Sequence, residues 1–284
     1  MKAKSDVAKK LSSITDEYCE GRQKPPTMTH KTLYFDIETT GMILFGYRLG
    51  KQHIAHDQIL KRSQVMCISW AWGDGKVQNA VFDRDKFDWF KKDDDADYEL
   101  LKNFVNMAMD ADVVIGHNGK NFDVAELRSR LIKHKLPDFQ PTLIDDTYLM
   151  TKNIGFVSHK LDDLGDYLGV GKKMEHGHGV EWWVEILRGN KKILAEMCKY
   201  CSIDVARLRG IYKELKPYIG SNLNLAIFYS RPDMCPNCGS TRTPIIRHYK
   251  YTKAGKFPQF QCHDCNKYYP TGKNQIKAPS QYRR

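Results

Sequence analysis

Residues Leu33-Tyr34-Phe35-Asp36-Ile37-Glu38-Thr39-Thr40-Gly41 constrain the chain more than any other stretch. Successive side chains of a strand point to opposite faces. Phe35 and Ile37 therefore enter a core while Asp36 and Glu38 leave together on the other face. Such a segment has to lie in a sheet with a hydrophobic layer behind it. It delivers two carboxylates to one point, where Thr39-Thr40-Gly41 turn the chain. A bare Asp-x-Glu arises by chance; the apolar strand around this one gives it weight, because two like charges so close call for a cation between them.

From Lys31 onward short apolar segments alternate with longer periodic ones. Residues 33–37, 65–72, 77–82, 113–115 and 143–144 are expected strands, and 97–109, 122–135, 161–168 and 191–213 expected helices. Three strands precede the first helix, which predicts an α/β fold: a mixed sheet begun by a meander, completed by strand-helix-strand crossovers and flanked by helices. The predicted organisation is an N-terminal helix and linker (1–30), an α/β domain (31–217), a connector (218–231), a small cysteine-containing unit (232–270) and a basic tail (271–284). With 284 residues, 28% charged and 41% hydrophobic, the chain supports one full core plus a smaller module and is neither disordered nor fibrous in composition. No apolar run approaches the roughly 18 residues that span a bilayer, and the start leads into no apolar signal region. A cytoplasmic protein with no membrane partner is expected. The net charge is +11, and residues 231–284 hold 11 Lys and Arg against 2 Asp and Glu. A basic C-terminal region of this kind most often meets a polyanion, nucleic acid above all.

Two further acids stand in marked settings. Val113-Val114-Ile115 is a buried-type strand that breaks at Gly116, and His117-Asn118-Gly119-Lys120-Asn121-Phe122 leads to Asp123 in the first turn of a helix. Complementing the helix dipole is the alternative role for an acid there. In Lys199-Tyr200-Cys201-Ser202-Ile203-Asp204-Val205, Tyr200 and Asp204 are four apart and stack on one helical face. That face lies beside an apolar stripe of Leu194, Cys201, Val205, Leu208 and Tyr212.

Together, the three segments resemble the motifs of the DEDD family of 3′-to-5′ exonucleases, which have a ribonuclease-H-like fold and include the proofreading domains of DNA polymerases. The stretch Phe35 to Gly41 is similar to the first motif, His117-Asn118 through Asn121-Phe122-Asp123 to the second, and Tyr200 with Asp204 to the third. The resemblance spans residues 31–217, and Lys160 to Leu164 with Tyr167-Leu168-Gly169 looks like the segment that precedes the third motif. The histidine branch of the family has its base five residues before the last Asp, where this chain has Lys199; Tyr200, four before, resembles the tyrosine branch. The resemblance implies that Asp36, Glu38, Asp123 and Asp204 hold Mg²⁺ or Mn²⁺, for which carboxylates are suitable hard ligands. Two such ions about 3.5 to 4 Å apart would clamp a phosphodiester. Tyr200, with an ordinary phenol pKa near 10, is implied to orient water rather than to act as a strong base. Thr39 and Asn118 are implied contacts to the terminal nucleotide.

Other residues suit blander roles. Asp145 and Asp146 end a strand before a helical stretch and are expected caps. His176 and His178 are loop histidines, Cys198-x-x-Cys201 is a pair of buried thiols within a helix, and Trp182-Trp183 pack the domain. Residues 42–64, with Arg48, Lys51, His53, His56, Lys61 and Arg62, form either a flap over substrate or a long solvated insertion.

Cys235-Pro236-Asn237-Cys238-Gly239 and Cys262-His263-Asp264-Cys265 have the spacing of a zinc ribbon, each pair a tight knuckle supplying two thiolates to one Zn²⁺. No secretion signal favours disulfides instead. Between and after the knuckles, Arg247, Tyr249, Lys250, Tyr251, Lys253, Lys256, Phe257, Phe260 and Tyr268 interleave cations and aromatics, suited to phosphates and unpaired bases. Protein docking, with the aromatics forming the ribbon's own core, is the alternative. The expected function is a metal-dependent 3′-to-5′ exonuclease acting on nucleic acid with a free 3′ end, DNA favoured, working alone or with a replication or repair protein. The competing functions are a catalytically idle nucleic-acid-binding adaptor and an endonuclease or recombination enzyme on the same fold.

Overall fold

The computed structural model describes residues 30–48, 50, 51, 53–138, 143–171, 179–243, 245–253, 255–270 and 275–277, without the side chains of 245–247, 276 and 277. The expected N-terminal helix, most of the basic tail, His176, His178 and the Arg247 side chain lie outside the described residues.

Strand alternation shapes β1 (Thr32–Thr39). Leu33, Phe35 and Ile37 enter a core on one face, and Tyr34 enters a second core on the other. Asp36 and Glu38 continue the Tyr34 side, so the acids emerge at the margin of a packed layer. The chain then forms a short antiparallel excursion, β2 (Ile43–Leu44) and β3 (Ile59–Lys61). β4 (Val65–Trp72) and β5 (Gln78–Val81) complete the meander. Crossovers through α1 (Tyr98–Ala108) and α2 (Asp123–His134) add β6 (Val113–Gly116) and β7 (Leu143–Asp146). The sheet order is β5-β4-β1-β6-β7, antiparallel among β5, β4 and β1 and parallel from β1 through β7. This is the mixed, helix-flanked sheet that the alternating pattern predicts.

Both faces are covered. Phe104 of α1 meets Phe35 with ring centroids 5.5 Å apart, and Val124, Leu127 and Leu131 of α2 join the same core. After α3 (Thr147–Thr151), α4 (Leu161–Tyr167) and α5 (Glu181–Leu187), the long α6 (Lys191–Ile219) packs across β1 and β4 on the opposite face. Its buried stripe of Cys201, Val205, Leu208 and Tyr212 follows the predicted helical period. α6 runs past the expected end at 213 because Pro217 falls near its terminus, where a lost backbone donor interrupts only the last turn.

A short α7 (Leu225–Phe228), capped by the Asn224 side chain, leads to the cysteine unit. There β9 (Gly255–Gln261) pairs antiparallel with β8 (Ile245–Thr252), β10 (Tyr268–Pro270) and β11 (Ile276–Lys277). Leu225 and Met234 are buried in the same core as Val205, Leu208 and Tyr212. Asp145, an expected cap, instead ties this joint. It accepts from the Tyr212 hydroxyl (2.7 Å), the Ser221 hydroxyl (2.6 Å) and the Asn222 amide (2.8 Å).

Behind the first core, buried Asp97 accepts from Arg130 Nε (2.7 Å), Arg130 Nη2 (2.8 Å) and the Val65 amide (3.2 Å). His134 Nε2 is 2.7 Å from the same carboxylate. Burial alone would raise this carboxyl, but bonds from His134 and Arg130 outweigh it and hold it below the usual carboxylate range. The stability it contributes is present above the unfolded-state pKa and lost as pH falls through the lower folded value. Removing one member of a buried charge network leaves its partner uncompensated. Asp97→Ala is expected to cost about 3 to 5 kcal/mol in urea unfolding, with Asp97→Asn milder; a loss below about 1 kcal/mol for the alanine variant would contradict this.

Candidate active site and cysteine cluster

The site begins where two strands part. β6 pairs with β1 only as far as Tyr34 opposite Ile115, whereas β4 continues along β1 to its end. Beyond Tyr34 one edge of β1 is therefore open, and a buried amide there needs an acceptor. The Ile37 amide, lying between Asp36 and Glu38, donates to Asp123 Oδ1 at 3.0 Å. Asp123 is the first residue of α2 and is buried. The third acid is thus pinned by backbone chemistry to the strand that carries the first two.

The loop before Asp123 is built to reach this position. A side chain on Gly119 would come within 3.1 Å of the Gly116 Cα and 3.6 Å of Asp123 Oδ2, so two glycines let the backbone fold tightly past the carboxylate. Asn118 is left-handed at φ 58°. Its amide and that of Lys120 donate to the two oxygens of Asp146 at 2.9 and 3.1 Å, and Asp146 also caps α3. Asp146 is the cap its position suggests, and it orders the second motif as well.

α6 supplies the rest. Tyr200 and Asp204 lie one turn apart on it, and the Cys201 Sγ between them contacts the backbone oxygen and Oδ2 of Asp36, each at 3.5 Å. The four carboxylates of β1, α2 and α6 act on one another. Burial, then Cys201, Asp123, Glu38 and Asp204, pushes Asp36 well above the usual range. Burial followed by Asp204 and Asp123 raises Glu38 to about 8. Asp123 is raised to about 7 by burial, against the opposing bond from Ile37. Tyr200 is also pushed up by burial and by the nearby acids, Asp204 first, so its phenol is neutral near pH 7. On α4, Asp162 pairs with buried Arg207 of α6.

Three neighbours had only weak sequence signals. The Trp182 ring meets that of Tyr200 edge-on, with centroids 6.4 Å apart. Trp183 Nε1 donates to the Thr39 carbonyl at 2.9 Å, fixing the end of β1. Cys201 reads as core in the sequence, and it is core, yet its sulfur also touches Asp36. Cys201 adjoins Tyr200 in the third acidic motif, whereas Trp182 and Trp183 adjoin none of the motifs and carried no such signal.

The donor set fits a hard divalent cation: it consists wholly of carboxylate oxygens, and Asp36, Glu38 and Asp123 are pushed up by burial and by neighbouring negative charge, which a cation would relieve.

The C-terminal cysteines form a tighter group. Cys235, Cys238, Cys262 and Cys265 place their sulfurs all within 4.8 Å of one another, the one such group among the described residues; the carboxylates are spread more widely. Cys235 and Cys265 sulfurs are 3.7 Å apart and those of Cys238 and Cys262 3.5 Å. A tetrahedron with Zn–S bonds of about 2.3 Å has edges of about 3.8 Å. Left-handed residues, Gly239 at φ 78° and Asn266 at φ 57°, follow the two knuckles. The cluster is compatible with a zinc ribbon. On its surface Lys250, Tyr251 and Tyr268 are exposed and Tyr249 is at the margin. Lys256 Nζ lies 4.0 Å from the centroid of the Tyr249 ring. Phe260 and Tyr269 pair with each other, centroids 5.4 Å apart. The exposed rings and the paired, half-buried rings are thus different residues of the unit.

The fold is that of a ribonuclease-H-like α/β protein. Residues 56–216 match the family model described as RNase_H superfamily, and the chain belongs to that superfamily. The matched span takes in Asp123, Tyr200 and Asp204; β1, with Asp36 and Glu38, precedes it. Among solved structures, the family B DNA polymerase from the hyperthermophilic archaeon Pyrobaculum calidifontis is similar over 69% of this chain and 26% of that one, at 20% identity and a TM-score of 0.48. The chain thus spans about a quarter of that polymerase's length. No curated protein matches. No helix among the described residues is long and apolar enough to cross a membrane.

Raised carboxyl pKa values have a stability consequence of fixed sign. The folded state holds protons that the unfolded state has released, so stability of the metal-free protein falls as pH rises from the unfolded-state values near 4 through the folded values of about 7 and 8. Asp36→Asn is expected to raise the metal-free Tm at pH 8 by a few degrees and to flatten this dependence. Thermal unfolding across pH 5 to 8 checks it; a variant less stable than the parent at pH 8 would refute the mutual repulsion.

Proposed function

We propose that the protein is a metal-dependent 3′-to-5′ exonuclease of the tyrosine branch, with DNA its favoured substrate and a zinc ribbon that engages nucleic acid. The observation that carries this reading is the convergence of Asp36 and Glu38 from β1, Asp123 from α2 and Asp204 from α6 on one buried site, with Tyr200 one turn from Asp204.

Asp36, Glu38, Asp123 and Asp204 would hold Mg²⁺ or Mn²⁺. When bound, these ions supply Lewis acidity to the attacking water and neutralise charge on the departing 3′ oxygen. Tyr200, kept neutral by its surroundings, orients that water by hydrogen bonding. The water oxygen bonds to phosphorus as the bond to the 3′ oxygen breaks, the 3′ oxygen gains a proton, and a mononucleotide leaves. Trp182 steadies the Tyr200 ring and Trp183 holds Thr39, which with Asn118 borders the terminal nucleotide. Cys235, Cys238, Cys262 and Cys265 bind one zinc, and Tyr249, Lys250 and Tyr268, with Arg247, offer phosphate and base contacts.

The test is a time course on 5′-labelled single-stranded DNA, single-stranded RNA, duplexes and closed circles with Mg²⁺ or Mn²⁺. A metal-dependent ladder shortening from the 3′ end is expected, fastest on DNA. Asp36→Ala abolishes it, and Tyr200→Phe slows turnover by about 10²-fold. Cleavage of circles makes the enzyme an endonuclease, and binding without cleavage makes it an adaptor; either result overturns the reading. Elemental analysis of the purified protein is expected to give one zinc per chain, lost in Cys235→Ser, and a metal-replete preparation without zinc would refute the ribbon.

A further inference from the structure

The excursion between β1 and β4 leaves the sheet directly after the acidic strand and is closed at its neck. The Thr40 amide donates to the Gln64 carbonyl (3.0 Å) and the Gln64 amide to Thr40 Oγ1 (3.1 Å). Lys61, wholly buried, pairs with Asp94 and donates to the Asp88 carbonyl at 2.7 Å, while Gln64 Nε2 donates to Asp94 Oδ1 at 2.7 Å. Further out, Phe45 is held on both sides: its amide donates to the Gln58 carbonyl (2.9 Å) and its carbonyl accepts from Gln58 Nε2 (3.0 Å). The base of the excursion is thus fixed to the body of the protein, and its outer part has its own hydrogen-bonded frame.

That frame presents apolar side chains to solvent. Phe45 is 49% exposed and Tyr47 81%, beside exposed Met42 and Leu44. The two rings meet edge-on with centroids 5.0 Å apart, so each supports the other. A cluster of exposed large apolar groups on a braced element marks a binding surface. Residues 41–64 carry Arg48, Lys51, Lys61 and Arg62 against the single acid Asp57. Lys61 and Arg62 face Asp94 and Asp93 at the base, and Arg48 and Lys51 lie further along the excursion. Phe45 follows Glu38 by seven residues, at most about 25 Å of chain. Aromatic faces with cations beside a phosphodiester site suit unpaired bases, since every base offers a π-face and every link a negative charge.

We propose that Phe45 and Tyr47 form a stacking platform for unpaired bases of a nucleic-acid strand whose 3′ end lies in the acidic site. The proposal rests on the exonuclease reading for the polarity of that strand. The platform binds by ring and charge, so it accepts any base sequence and requires the strand to be single there.

The test uses the full chain carrying Asp36→Asn to prevent hydrolysis, and fluorescence anisotropy with a 5′-labelled oligothymidylate and an abasic oligomer of equal length. Phe45→Ala with Tyr47→Ala is expected to weaken oligothymidylate binding about tenfold or more, the scale of one lost stack, and to leave abasic binding unchanged. Phe45→Trp with Tyr47→Trp is expected to restore the affinity. Unchanged affinity for both oligomers, or equal loss for both, would overturn the platform. So would a size-exclusion shift from dimer to monomer with unchanged DNA binding, which would assign the surface to a second copy of the chain. Assays of the chain with Asp36 intact separate this proposal from the nuclease reading: no cleavage, together with base-dependent binding lost in the alanine variant, refutes the nuclease and supports the platform. Normal 3′-end digestion with the alanine variant binding like the parent refutes the platform alone.

Discussion

β6 releases β1 after Tyr34, and the amide that the ladder leaves behind, that of Ile37, is taken up by the carboxylate of Asp123. The acid that serves the site is therefore also the acceptor that completes the sheet. A strand kept fully paired on both edges would bury its acids without access; one left open without an acceptor would strand a buried donor. Parting the strands and closing the gap with a side chain meets both demands at once. The glycines at 116 and 119 and the two oxygens of Asp146 hold the intervening loop to that geometry.

Gathering four carboxylates raises the free energy of the fold, and ion pairs of opposite charge brace the elements around them. Asp97 with Arg130 ties the start of α1 to α2, and Asp94 with Lys61 ties the excursion's base to the segment before α1. The position of α6, and with it Asp204, is set by Val205, Leu208 and Tyr212 packing below and by Arg207 reaching α4. Rigid elements anchored at a distance can hold repelling groups together in a way that flexible loops cannot.

Local rules carried much of the fold. Alternation identified β1 and placed Phe35 and Ile37 opposite Asp36 and Glu38, helical spacing identified the buried stripe of α6, and the Cys-x-x-Cys pairs marked the four-cysteine cluster. The order of the three acidic segments anticipated that Asp36, Glu38, Asp123 and Asp204 would meet. What escaped were features decided at long range. The continuation of α6 past residue 213 and through Pro217 puts that proline in the last turn, where its missing donor does not end the helix early. The β2–β3 ladder depends on Lys61 finding Asp94, thirty-three residues away. Asp145 looks like Asp146 in sequence, and only the return of Ser221 and Asn222 to its side separates a tether from a cap. The bond between Ile37 and Asp123 was invisible for the same reason, as strand parting leaves no local mark.

Leu225 of the connector and Met234 of the cysteine unit enter the core beneath α6, so the cysteine unit and the α/β domain have no clean seam between them. Shuffling such a unit onto another protein would tear apolar surface from both pieces. Its place in the architecture is nearer to that of a keystone than of an accessory, because its apolar residues complete a core that the α/β domain begins. Substitutions along Val205, Leu208 and Tyr212 would be answered at Leu225 and Met234, leaving a correlated record across what a map of domains would draw as a border.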